Sequence, residues 1–494
     1  MLRRLFLFLL CLSAASAQEI RRPNIVFILC DDLGYGDVGC FGQKLIRTPN
    51  IDALAASGMK LTSHYSGHNV CAPSRCVLMS GKHPGHAYIR ENAGGLGGQE
   101  GQMPVAEGTC ALPLSLQSLG YATGAFGKWG LGPVGSTGDP AKQGFARFYG
   151  YNCQAVAHNF YPTHLWSDAE KVALKNAKFG AHQKLPEGAD VNDPKSYARF
   201  SGTDYAPDLI GAEALKFVRT NKEKPFFLFY PTTVPHLALQ VPEDSLKEYE
   251  GKFPETPYPG GKGYLPHRTP RAAYAAMITR MDTEIGKLMA LLKDLNLTEQ
   301  TIVIFTSDNG PLYDKLGGTD AEFFNSARGL RGRKGSFHEG GYRVPGIIAW
   351  PSKIKAGTVS DRVTGFEDWL PTLLELAGAK DSTPAGIDGV SFAPALRGEA
   401  QPTRPFLYRE SPGYTGQAAI RAGNWKLLGR LLNPGPKTKN PKPPVWELYD
   451  LAADPKEEKD LAAAQPEKVK ELLFLLYSQR TRSEKFPNRA LDGE

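Results

Sequence analysis

Two acidic pairs stand out by their neighbours. Asp31-Asp32 directly follows the apolar run NIVFILC (24–30), and Asp308-Asn309-Gly310 directly follows TIVIFTS (301–307). Oxygen-only donors of this kind suit a hard divalent cation such as Ca2+ or Mg2+. Between the pairs, VCAPSRCVLMSGKHP (70–84) sets Cys71 ahead of Pro73, Ser74 and Arg75, with Cys76 five positions later. Two thiols that close suggest a disulfide or a metal site, yet neither explains the Pro, the Ser and the Arg. Lys128 in FGKWGLG, His236 in PTTVPHLAL and Lys334 in LRGRKGSFHEGGYRVP each adjoin a Gly- or Pro-rich turn. For each alone a solvated Lys or a hydrogen-bonded loop His is the commoner case, and an acidic residue after a strand is ordinary turn chemistry. Together, a nucleophile, a cation and several positive side chains at one rim would serve transfer of a tetrahedral anion.

For these residues to meet, the apolar runs must be strands of one sheet. NIVFILC (24–30), PFFLFY (225–230), TIVIFTS (301–307) and GIIAW (346–350) are short, rich in Ile, Val and Phe, and read as parallel strands buried on both faces, with helices covering each face. In open α/β sheets ligands sit beyond the carboxyl ends of strands, which brings three carboxylates and an amide to one rim. One covering helix is YAAMITRMDTEIGKLMALLKDL (274–295), where Tyr274, Met277, Ile278, Met281, Ile285, Leu288, Leu292 and Leu295 form one apolar stripe and the Met residues are core. The long polar stretches 92–109 and 130–205 exceed simple connections and are placed to build the binding face. After the Pro- and Gly-bearing stretch 378–389 come AIRAGNWKLLG (419–429), WELYDLAADP (446–455) and the amphipathic PEKVKELLFLLYSQR (466–480), with NPGPKTKNPKPP (433–444) as a solvated hairpin loop. The expected fold is α/β: a large mixed, mostly parallel sheet flanked by helices in a catalytic domain over 18–380, then a smaller C-terminal α+β domain over 381–494 with an antiparallel sheet and a terminal helix.

Composition narrows the class. A hydrophobic share of 41% and a charged share of 22% in 494 residues exclude a disordered or membrane-spanning chain. Residues 1–17, MLRRLFLFLLCLSAASA, have the layout of a cleavable signal peptide with cleavage after Ala17, which sends the protein to the periplasm or outside the cell, or along the secretory and lysosomal route of a eukaryotic host. No other segment approaches about 20 apolar residues, so no stable membrane insertion is expected. Bulky Leu10 before Cys11 argues against lipid attachment. The mature Cys30, Cys40, Cys71, Cys76, Cys110 and Cys153 are too few for a disulfide scaffold, and with Cys71 reserved for chemistry at least one more stays unpaired. The formal charge of +7 includes two leader Arg. The remaining excess fits an acidic substrate better than nucleic acid, for which no basic run or aromatic array is present.

CAPSRCVLMSG (71–81) resembles the signature of type I sulfatases: Cys-x-Pro-Ser-Arg followed by Leu and then Ser/Thr-Gly at set spacings. Further matches run in order: PNIVFILCDDLGYGDVGCFG, TPNIDALAASGMKLTSHYS, GYATGAFGKWGLG, YAAMITRMDTEIG, FTSDNG, GSFHEGGYRVPGIIAWP and LYDLAADPKEEKDLA. Over residues 22–465 the chain is therefore similar to formylglycine-dependent sulfatases of the arylsulfatase and N-acetylgalactosamine-sulfatase kind, in the alkaline phosphatase superfamily. The resemblance implies that dedicated formylglycine-generating machinery, reading the Pro and Arg, oxidises Cys71 to formylglycine, and that Cys76 is an ordinary small residue on the following helix. It implies a gem-diol at residue 71 whose oxygen, helped by Ca2+ or Mg2+, attacks sulfur. An alcohol leaves, and the second hydroxyl lets the sulfated hemiacetal collapse, a step that a plain Ser or Cys could not perform. Asp31, Asp32, Asp308 and Asn309 match the metal ligands, completed by residue 71. Arg75 matches the side chain that steadies the modified residue, Lys128 and Lys334 match sulfate binders, and His236 matches the proton donor to the leaving alcohol. Pro73 suits the first turn of a helix, whose N-terminus stabilises an anion.

One departure matters. Many relatives carry Gly-Lys-Trp-His-Leu-Gly, whose His helps to deprotonate the gem-diol; here GKWGLG puts Gly130 at that position. Another base is then required, with His158 in AVAHNFYP and His338 beside Glu339 as candidates. Two alternatives accompany the sulfatase reading. A phosphate or phosphonate monoester hydrolase of the same superfamily is disfavoured by the formylglycine motif and the single apparent cation. An inactive sulfate-binding homologue, motivated by Gly130, is disfavoured by intact Cys71, Arg75, Lys128, His236 and Lys334. For substrate, the aromatic-bearing HNFYPTHLW (158–166) and the polar cluster His83, His86, Arg90 and Asn92 suit a sulfated sugar, with His86, Arg90 and His158 as contacts, aromatics to stack on the ring and Arg90 to meet a further anion. The likeness within 120–166 leans toward galactose or N-acetylgalactosamine units.

Overall fold

The central strand, β1 (Asn24–Cys30), is seven apolar-to-small residues long and buried at every position, as a strand covered on both faces must be. The computed structural model to which it belongs describes residues 22–95, 99–313, 315–435, 438 and 440–493; the expected signal peptide lies outside them. Nine further strands complete the main sheet: β2 (Met59–Leu61), β3 (Ala122–Lys128), β4 (Arg147–Tyr151), β5 (His164–Ser167), β6 (Glu170–Ala173), β7 (Phe226–Pro231), β8 (Thr301–Ser307), β9 (Gly346–Ala349) and β10 (Thr358–Ser360), in the order β10-β2-β9-β8-β1-β7-β3-β4-β5-β6. The run β8-β1-β7-β3-β4 is parallel. The expected parallel placement of GIIAW is corrected: β9 pairs antiparallel with both β8 and β2. Its apolar run reports burial on two faces, which carries no information on direction.

Alternation along β1 divides the core. Val26, Ile28 and Cys30 pack with Ile210 and Phe217 of helix Ala206–Asn221 and with Met277, Ile278 and Ile285 of helix Pro270–Asp294. Ile25, Phe27 and Leu29 pack on the opposite face with Val77 and Leu78 of helix α1 (Cys71–Ser80) and with Trp369, Leu370 and Leu373 of helix Trp369–Leu376. Each fully buried side chain of this size contributes about 1.5–3 kcal/mol, so the second face of the sheet holds α1 firmly in place.

Strand β3 escapes a reading based on apolar runs because its sequence, ATGAFGK, carries two glycines. Close packing requires them. A Cβ at Gly124 would stand 2.7 Å from the Phe126 ring and 2.8 Å from Phe217, and one at Gly127, where φ is +142°, would stand 2.0 Å from the Pro231 carbonyl oxygen of β7.

The C-terminal strands β11 (Leu407–Ser411), β12 (Gln417–Ala422), β13 (Trp425–Arg430) and β14 (Val445–Asp450) form an antiparallel meander. Helix Pro466–Ser478 covers one face through Leu472 and Leu476. The other face presents Leu407, Ala419 and Leu428 to Tyr65, Phe337 and Tyr342 of the larger part. A fully buried Lys426 bridges Glu339, at 2.9 Å, and Glu457, at 2.7 Å, while Arg409 meets Glu367 at 3.0 Å. Charges buried this completely are tolerated only as pairs, so the small sheet and the large one are held in one arrangement. All six described cysteines are free thiols, and no described helix is long and apolar enough to cross a membrane.

Candidate active site

β1 and β8 are hydrogen-bonded neighbours in register, with Cys30 opposite Ser307, so the residues that follow them emerge side by side at the carboxyl end of the sheet. Asp31, Asp32, Asp308 and Asn309 are all buried there. Asp32 takes a left-handed backbone, φ +66°, and donates its N–H to Asp308 Oδ1 at 3.2 Å. A non-glycine residue in that region is uncommon and is tolerated where a site over-determines it.

Onto this rim the remaining candidates converge from four elements. Cys71 is the first residue of α1, after an extended Val70, and its Sγ lies 3.4 Å from Asp31 Oδ1. Arg75, one turn further along α1, donates Nε and Nη2 to Asp308 Oδ2 at 3.1 and 2.9 Å and Nη1 to the Lys128 carbonyl. Lys128 ends β3 and reaches Asp31 Oδ2 at 2.6 Å. Lys334 contacts Asp32 Oδ1 at 2.6 Å and Cys71 Sγ at 3.2 Å. His236, on the loop after β7, faces Asp32 Oδ2 with Nε2 at 3.4 Å, while its Nδ1 lies 2.6 Å from the Leu237 carbonyl oxygen. That carbonyl makes Nδ1 the protonated nitrogen and turns Nε2 toward the site.

Three carboxylates stand against Arg75, Lys128 and Lys334, and their crowding shows in their acidities. Burial would raise Asp31, but Lys128, His236, Arg75 and Lys334 outweigh it and hold that carboxyl well below the usual range. Asp308 is pushed up to about 6 by burial and by the Asp31 charge. Burial also raises Asp32 despite Lys334. The Cys71 thiol is pushed up to about 12, first by burial and then by Asp31, so at neutral pH its sulfur is protonated and a poor nucleophile.

Donor atoms of Asp31, Asp32, Cys71 and His236 lie within 4.8 Å of one another. Asp32 Oδ2 and Asn309 Oδ1 are buried without a hydrogen bond. Orphaned oxygens at the centre of a carboxylate cluster fit a hard divalent cation.

The other sequence candidates divide. His158 belongs to the site: its ring stacks on His236, centroids 4.8 Å apart and 8° from parallel, with Tyr264 5.2 Å away. His338 does not, because its ring nitrogens meet Ser336 and Glu447. His86 is also corrected: it binds Asp388 at 2.9 Å, and Asp388 is tied to Gly81 at the far end of α1, about 15 Å along a ten-residue helix from Cys71. Arg90 is 3% exposed, donates to the carbonyls of Ala87, Gly85 and Thr481 and to the Thr481 hydroxyl, and has Glu410 3.7 Å away as its counter-charge, so it is spent inside the fold rather than offered to a substrate anion. The expected stacking aromatics of 158–166 are structural: Phe160 and Tyr161 are core, and Trp166 and His164 hold Glu100. One residue that the sequence did not mark fills the space at Gly130. Gly130 has φ +78°, and a Cβ there would stand 2.6 Å from Nε2 of buried Gln154, itself without a hydrogen bond.

Comparison with known proteins follows the same outline. The Sulfatase family model matches residues 23–379, and a model described as N-sulphoglucosamine sulphohydrolase, C-terminal, matches residues 333–481. The chain is 32% identical to arylsulfatase A of Homo sapiens, over 98% of this chain and 94% of that protein. It is 30% identical to N-acetylgalactosamine-6-O-sulfatase of Bacteroides thetaiotaomicron, over 94% and 95%. Among solved structures, Ps i-CgsB in complex with k-i-k-neocarrahexaose superposes with a TM-score of 0.72 at 26% identity, covering 96% of both chains. A phosphonate monoester hydrolase of Agrobacterium radiobacter, at 20% identity and TM-score 0.63 over 94% of this chain and 99% of that one, shares the fold.

Proposed function

Since this chain belongs to the sulfatase family, enzymes that hydrolyse sulfate esters, we propose that it releases sulfate from a sulfated carbohydrate of galactose or N-acetylgalactosamine type, with residue 71 as formylglycine. In this reading residues 18–380 are the catalytic domain, 381–494 a smaller second domain, and residues 1–17 direct export. The observation that carries it is the convergence on residue 71 of Asp31 and Lys334, with Lys128, Arg75 and His236 around them.

Asp31, Asp32, Asp308 and Asn309, with residue 71, would hold a Ca2+ or Mg2+ ion. Formylglycine supplies the oxygen nucleophile that a buried thiol does not, and the cation supplies positive charge for the sulfate oxygens. The rest falls to the chain's own side chains. Arg75 locks Asp308 and the end of β3 in position, which fixes where Lys128 points. Lys128 and Lys334 steady the sulfate. The three carboxylates are balanced by Arg75, Lys128 and Lys334, so the rim would be net positive with a divalent ion bound and would draw in a singly charged sulfate ester. His236 is the proton donor to the departing alcohol oxygen in this reading: with Nδ1–H held by the Leu237 carbonyl, Nε2 must take up a second proton, which burial and Lys334 oppose and an anionic ester beside that nitrogen favours. With Gly130 offering no base, His158 is the proton acceptor in this reading: it stacks on His236 with Nδ1 buried and unpartnered, and burial with the nearby His236, Lys128 and Lys334 keeps it neutral.

The test is sulfate release from a panel of sulfated sugars, using protein made in a host that carries the modifying machinery, with peptide mass spectrometry across 71–75. Rigorous chelation should stop turnover and added Ca2+ should restore it; activity that survives chelation removes the four-residue cation site. His236→Ala should lose about 100-fold on a sulfated sugar but far less on an activated aryl sulfate, whose good leaving group needs little protonation. Equal losses would take the proton-donor role away from His236.

A further inference from the structure

Beside Lys334 stand two partly exposed tyrosines that the chemistry above does not use. Tyr313 and Tyr414 are 38% and 49% exposed. Both lie over Gly335, where a Cβ would stand 2.1 Å from Tyr313 Oη and 2.8 Å from the Tyr414 ring. Both therefore stand over the residue that follows Lys334, close enough for the Lys334 charge to act on each phenol. Since Lys334 touches Cys71 Sγ, a group attached to a sulfate at residue 71 emerges next to this pair.

Tyr414 comes from the C-terminal sheet, at the tip of the hairpin between β11 and β12. Gln417 pins that hairpin to the Lys334 loop by accepting from Phe337 N–H at 3.0 Å and donating to the Gly335 carbonyl at 2.6 Å. The turn 413–416, closed by Gly416 N–H to the Gly413 carbonyl at 2.9 Å, has φ +51° at Tyr414 and +67° at Thr415. Two left-handed central residues are the conformation normally given to Asn-Gly. A large aromatic there is locally unfavourable and half exposed, so neither turn chemistry nor core packing accounts for it, and an outlier of that kind points to use of the side chain.

We propose that the Tyr313–Tyr414 pair is a specificity platform: a pyranose ring carrying the sulfate stacks on Tyr414, and its hydroxyls bond the two phenols. This deepens the sulfatase reading above and rests on it. The chemistry favours a sugar over a wholly apolar alcohol such as a sterol, because Tyr264, His158 and His182, clustered beside His236, are likewise aromatic with polar tips.

The test compares kcat/KM for a sulfated monosaccharide and for a small aryl sulfate in Tyr414→Asn, Tyr414→Phe and the parent protein. Asn suits the left-handed turn, so Tyr414→Asn should melt at the same or a higher temperature, while its sugar-to-aryl ratio falls about tenfold, through KM. Tyr414→Phe keeps the stacking face and should restore most of the ratio. A ratio unchanged in Tyr414→Asn, or a loss shared equally by both substrates, overturns the platform. A parent protein that cleaves the aryl sulfate but no sugar sulfate overturns instead the substrate class proposed above.

Discussion

Cys71→Ala should release sulfate at least about a thousandfold more slowly than the parent, with no change in fold. The side chain removed is small and opens α1 rather than filling the core beneath it, and Lys334 keeps its 2.6 Å contact with Asp32. What is lost is the side chain that touches both Asp31 and Lys334, and with it the precursor of the proposed formylglycine. Cys71→Ser should be equally inactive in turnover. A serine hydroxyl could at best accept sulfate once, because it lacks the second oxygen needed to expel it. Sulfate release and a circular-dichroism melt together decide the matter. Substantial activity in either variant would remove residue 71 from the mechanism.

Arg75→Ala should be the most destabilising change at the site, by about 3–5 kcal/mol, because it strands a buried charge partner. Arg75 is 1% exposed and gives three donors to Asp308 and to the Lys128 carbonyl. Without it, Asp308 has no fork of donors, and its acidity, already weakened to about 6, weakens further. The sign of the pH effect follows. A carboxyl whose folded pKa is raised is favourable when protonated, and that contribution is lost as pH rises from its unfolded range near 4 through the folded value. The variant's deficit should therefore be larger at pH 7.5 than at pH 5, and an added divalent cation should shrink it. Arg75→Lys keeps a charge but not the planar fork, and should fall between the two. Denaturant midpoints at both pH values, with and without Ca2+, measure this; a deficit independent of pH would show that Asp308 does not depend on Arg75.

The rim itself was legible because β1 and β8 are uninterrupted apolar runs that end on Asp31-Asp32 and Asp308-Asn309, so strand ends and ligands coincide in sequence. β3 was not, since glycines that let it approach β7 erase its apolar signal, although Lys128 sits at its end. Arg90 and HNFYPTHLW misled for the opposite reason: charge and aromatic content look the same whether a side chain faces solvent or is spent on carbonyls and core. Gln154, Tyr313 and Tyr414 carry no local mark at all. Tyr414 reaches Gly335 only because a hairpin some eighty residues downstream folds back onto it, and pairing at that range leaves no trace in either segment.

Every residue of α1 is buried, Cys71 to 2% exposure, beneath a rim closed by Lys128, Lys334 and the carboxylates. If residue 71 is the formylglycine proposed above, a modifying enzyme that reads Pro73 and Arg75 has no access to them once the sheet has formed around α1. Conversion would then be a race against folding, run once while the chain is new. Protein that folded first would keep its thiol for life, so two populations alike in shape, one active and one silent, would arise in proportions set by the supply of the modifying enzyme.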